Sequence, residues 1–63
     1  MCLASVYEGS VESANLILTN VQRIECREGS VLLVDLFERE REIRGHLVSV
    51  DLVGNTAVIC PED

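Results

Sequence analysis

The stretch Ser30 to Phe37, SVLLVDLF, is apolar on both of its alternating faces. As a strand it sets Leu32, Val34 and Leu36 on one side and Val31, Leu33, Asp35 and Phe37 on the other. A strand of that kind does not suit an exposed sheet edge. It belongs at the centre of a sheet or against a second surface.

Reading outward, turn signals recur at short intervals: EGS at Glu8–Ser10, REGS at Arg27–Ser30 and VGN at Val53–Asn55. Gly and Asn supply the positive φ angles of tight turns. Between the turns lie runs rich in Val, Ile and Leu: CLASVY, ANLILTNVQRIEC, SVLLVDLF, REIRGHLVSVDLV and NTAVIC. This spacing predicts an all-β domain of about five strands. The second run loses phase near Thr19 and Asn20, so a bend or bulge is expected there. In HLVSVDLV, Val48, Val50 and Leu52 are expected to share the core-facing side, with Ser49 and Asp51 outward. The segment FEREREIRGH has good helix formers, but Phe37, Ile43 and Leu47 do not fall at helical spacing. A hairpin with its tip at Glu38–Glu40 and a bulge at Gly45 is the better reading. Pro61 is expected to end the last strand.

Sixty-three residues, 48% of them apolar but with one Phe, one Tyr and no Trp, make a single domain over residues 1–63. A core of small branched aliphatics suits a strongly bent five-stranded barrel of the SH3-like or Sm-like kind. A chain this short buries only about 60% of its unfolded surface, so burial against a second copy is expected. No stretch approaches the roughly 20 apolar residues that span a bilayer, and the N-terminus has no basic patch followed by an apolar run. The chain therefore reads as cytoplasmic, with no membrane partner. Three cysteines in a reducing compartment argue against a disulfide framework.

The formal charge of −6 weighs against nucleic acid, since phosphate neutralisation needs a basic face. The alternative of an RNA-binding module has its local support in Arg39, Arg41 and Arg44, provided a hairpin gathers them into one strip. With one His, no Lys and no Gly-rich phosphate loop, no catalytic constellation is visible and an enzyme is not expected. Cys26 and Cys60 fall within strands and are expected to pack as small hydrophobes. His46 reads as a polar surface group near a bend.

Cys2 differs by its position. Its thiolate sulfur and its own backbone nitrogen close a five-membered ring on a metal. The Met1 amine, where Met1 is retained, closes a second ring. Two such termini across a two-fold axis supply two nitrogens and two sulfurs in a plane, a geometry that suits Ni(II) or Cu(II) and not zinc. Thiolates and a reducing compartment leave Ni(II).

The start MC-L-A-x-V, the EGS turn before VLLVDLF, the acidic FE that follows, and G-x-L-x-x-VDL before a Gly-Asn turn together resemble the CooT family. These are small accessory proteins of carbon monoxide dehydrogenase. The likeness runs over essentially the whole chain. It implies a nickel-binding homodimer of small barrels, a metallochaperone, carrier or sensor. Cys2 of each chain would be the thiolate ligand at the dimer interface, with carbon monoxide dehydrogenase or its other maturation proteins as partners.

Overall fold

The computed structural model describes residues 3–62. Five strands, β1 (Ala4–Glu8), β2 (Leu16–Arg27), β3 (Ser30–Asp35), β4 (Glu40–Asp51) and β5 (Thr56–Pro61), close into a ring in the order β1-β2-β3-β4-β5. Neighbours in sequence pair antiparallel, and β1 closes the ring against β5 in parallel. A short 3-10 turn, Ser13–Asn15, leads into β2. None of the described helices is long and apolar enough to cross a membrane.

Closure with five strands depends on two long ones, β2 and β4, whose halves pair with different neighbours. The first half of β2 pairs with β1 and its second half with β3. β4 likewise pairs first with β3 and then with β5. The expected break in β2 is present: Asn20 has φ 56°, and the ladder to β3 is irregular between Val21 and Arg23. Asparagine tolerates this left-handed conformation better than most side chains, so the bend falls where the sequence can accommodate it.

β3 is the central strand and is buried on both faces, as its composition requires. Val31 and Leu33 point inward and join Val6, Val21, Ala57 and Ile59 in the core. Leu32 and Val34 point outward, yet only 7% and 1% of their surfaces are exposed. Leu32 stands opposite Glu25 and Glu42, and Val34 opposite Arg23 and Glu40. These long side chains lay their aliphatic stems beside the two residues while their charges reach water. Glu42 accepts from Ser30 Oγ at 3.2 Å and pairs with Arg27 at 3.6 Å, lacing β2 to β4 across β3. Exposed pairs of this kind add little stability individually; their stems contribute the cover.

Two expectations about β4 are corrected. Gly45 has φ 145° but stays in register opposite Pro61; the irregularity lies between Leu47 and Ser49. Gly45 marks a close approach of β4 to β5, because a Cβ there would overlap the Cys60 carbonyl oxygen. The displaced bulge also breaks the alternation expected of Val48, Val50 and Leu52. They are 55%, 48% and 83% exposed and do not form a core-facing stripe. The β3–β4 turn, in contrast, falls where the hairpin reading set it, with β4 beginning at Glu40 and Pro61 ending β5.

Candidate metal centre at the chain start

Met1 and Cys2, the residues expected to hold metal, lie outside the described residues. The described chain enters β1 at Ala4. Ala4 pairs with Val21 of β2, and Ser5 donates its backbone N–H to the Asn55 carbonyl at 3.0 Å. β1 is therefore gripped on both sides from its first residues.

Two turns flank this point, and each is organised by an aspartate. On one side Val21 pairs with Asp35, and Leu36 donates its N–H to the Asn20 carbonyl at 2.8 Å. Asp35 Oδ1 accepts the backbone N–H groups of Phe37 (2.9 Å) and Arg39 (3.0 Å), and its Oδ2 accepts Arg39 Nε at 2.8 Å. On the other side Asp51 Oδ1 accepts the N–H groups of Val53 and Gly54, both at 3.0 Å. The turns hold apolar residues outward: Leu36 and Phe37 on the first, Leu52 and Val53 on the second. Phe37 is 68% exposed and Val53 96%. The Arg39 guanidinium lies 5.3 Å from the Phe37 ring centroid, steadying it by a cation–π contact.

Asp35 is almost wholly buried at 1% exposure. Burial by itself pushes its carboxyl upward. The Arg39 backbone N–H, the Arg39 side chain, the Phe37 N–H and the Arg39 charge together outweigh burial and hold the group below the usual carboxylate range. A carboxylate with a depressed folded pKa stabilises the fold above its unfolded value, about 3.9, and loses that contribution as pH falls through the folded value. Asp35→Asn keeps the side chain's size and removes its charge. The variant is expected to be less stable than wild type at pH 7, with the gap closing below about pH 4. Thermal melts at pH 7, 4 and 3 check this; a gap that stays constant across that range would rule out the charge as the cause.

The other candidate residues are scattered. Cys26 and Cys60 are both exposed, which corrects the expectation that they pack as core filler. Both lie near strand ends, where the interior gives way to solvent. His46 is exposed within β4 and stands directly opposite Cys60. Among the described residues no three His, Cys, Asp or Glu side chains gather as a metal site. The basic strip behind the RNA-binding alternative does not form. Arg39 is committed to Asp35, Arg41 reaches the Ile17 carbonyl at 3.3 Å, and alternation puts Arg44 on the opposite face from Arg41. Sequence reasoning missed the two aspartate-built turns. The VDL repeated at 34–36 and 50–52 was their signal, since each Asp precedes an apolar residue at a strand end.

A family model described as CO dehydrogenase accessory protein CooT matches residues 1–60. The chain belongs to the CooT family. The CooT model thus spans the strand that decides the fold, both aspartate turns and the chain start. No curated protein matches the sequence. Among solved structures, a CooT candidate from Carboxydothermus hydrogenoformans superposes with a TM-score of 0.82 at 24% identity, covering 98% of this chain and 100% of that one. At that identity the likeness concerns the fold, and it matches the closed five-stranded arrangement. CooT is described as an accessory to an enzyme, so the family description assigns it no catalytic role of its own.

Proposed function

We propose that the chain is a nickel-binding homodimeric accessory protein of the CooT family, handling Ni(II) as cargo for carbon monoxide dehydrogenase maturation. In this reading each copy is a small SH3-like barrel contributing Cys2, with nitrogen from its own backbone or from Met1, to one ion on the two-fold axis. The observation that carries the reading is the setting of the chain start: β1 is anchored at Ala4 and Ser5 between two rigid turns whose tips are apolar. Leu36, Phe37, Leu52 and Val53 have no place in the core. Their burial against a second copy brings two chain starts together in surroundings that exclude water. The donor set fits the ion, since thiolate with deprotonated nitrogen favours square-planar Ni(II).

Titration with Ni(II) of Cys60→Ser protein, which keeps the chain start and removes the exposed thiol of β5, tests this. A thiolate-to-nickel absorption band should rise and saturate at one nickel per two chains. Saturation at one per chain, or no band, would overturn the shared site. The apolar tips give an independent prediction. Val53→Glu at a 96% exposed position cannot disturb the core, yet it should shift sedimentation toward the monomer and weaken nickel binding on the order of tenfold. An unchanged dimer would remove this turn from the interface.

A further inference from the structure

The geometry points to a second, exchange-labile site for a borderline-soft divalent cation, formed by His46 and Cys60 on the outer face of the β4–β5 ladder. The two residues are direct cross-strand partners, and both are exposed. Directly opposed residues of an antiparallel pair point to the same side, with Cβ atoms about 4.5–5.5 Å apart. A tetrahedral ion bound by one thiolate and one imidazole needs sulfur and nitrogen about 3.5 Å apart, given bonds of about 2.3 and 2.0–2.1 Å. An imidazole and a thiol on neighbouring strands span that separation without moving the backbone.

The local backbone produces the pairing. Without the bulge between Leu47 and Ser49, His46 would stand opposite Pro61, which has no ligand to offer; the extra residue moves it onto Cys60. Gly45, beside His46, then lets β4 approach the Cys60 carbonyl more closely than any side chain would permit. Both groups are available: the Cys60 thiol's one contact is with the adjacent Pro61 carbonyl at 3.9 Å. Among the described residues the His46 ring has no hydrogen-bond partner. The site lies away from the chain start, because Thr56, which pairs with Ser5, is four residues and about 13 Å along β5 from Cys60. With two protein donors and water completing the shell, the ion is held weakly and exchanges readily. A mixed nitrogen–sulfur pair suits zinc, cobalt or nickel over magnesium or calcium.

Cobalt(II) titration of Cys2→Ser protein isolates this site from the chain start. Near-ultraviolet thiolate-to-cobalt absorption should saturate at one ion per chain. Adding Cys60→Ser or His46→Gln should abolish the band or weaken affinity roughly tenfold or more. Both positions are exposed, so far-ultraviolet circular dichroism should be unchanged. Cys26→Ser is the internal control: that thiol is also exposed, but its ladder partner is Val31. Absence of cobalt binding, equal loss in Cys26→Ser and Cys60→Ser, or a full signal in His46→Gln would each overturn the assignment.

Discussion

Gly45→Ala is expected to leave the chain largely unfolded at room temperature. The added Cβ would overlap the Cys60 carbonyl oxygen and sit 2.8 Å from Pro61 Cα, both of them backbone atoms with no rotamer to move. The φ of 145° adds strain of its own, since a side chain is disfavoured there. Relief would require β4 and β5 to separate just where β4 has passed from β3 to β5. That separation would open the ring and expose Leu47 and Ile59, the latter fully buried. Native domains keep about 0.05–0.15 kcal/mol per residue, so a chain of this length has on the order of 3–9 kcal/mol to lose. A backbone clash with a broken ladder belongs to the mechanisms that cost about 4 kcal/mol or more. Circular dichroism and a urea melt would show it; a cooperative transition near the wild-type midpoint would mean that the two strands are not in close contact at this point.

The second large effect is expected from Cys2→Ser. A hydroxyl does not ionise at neutral pH and is a poor ligand for nickel, so in the proposed site each copy would lose its thiolate ligand. On a two-fold axis a single substitution removes both sulfurs at once. Changes in the groups that merely orient a ligand already cost 10–100-fold in metal affinity; loss of two direct ligands should cost on the order of 100-fold or more. The fold should survive, because the described core is built without residue 2. Cys26→Ser and Cys60→Ser should leave the nickel band of the dimer intact.

Much of the fold was legible because β3 and its flanking turns obey local rules. A strand apolar on both faces had to be central, and Gly29, at φ 79°, supplied the turn that returns β2 to β3. Asn20 marked the bend of β2 by its type and by the break in phase. The second half of β4 was not legible, for a definite reason. A one-residue bulge interrupts the alternation, leaving Val48, Ser49, Val50 and Asp51 all exposed, and nothing in Leu47-Val48-Ser49 distinguishes a bulge from regular alternation. The same shift set His46 opposite Cys60, so that pair could not be read from a hairpin centred on the VGN turn. The cysteines were misplaced because residue type predicts burial on average, whereas Cys26 and Cys60 each stand one residue from the end of a strand, where they are exposed. Cys2 was singled out by its nearness to the amino terminus, a covalent fact that needs no fold. The Asp35 and Asp51 turns with their apolar tips, which flank Ala4 and Ser5, emerged from tertiary pairing between β1, β2 and β5.

The central claim is that one nickel ion joins two copies through their chain starts. Native mass spectrometry of Cys60→Ser and of Cys2→Ser/Cys60→Ser, each at one nickel per two chains under reducing conditions, tests it most directly, because neither variant retains the His46–Cys60 pair. Cys60→Ser should give one species of two chains and one nickel, with the double variant retaining no metal at the same concentration. Nickel kept by the double variant with unchanged occupancy, or carried by Cys60→Ser monomers, would contradict the account.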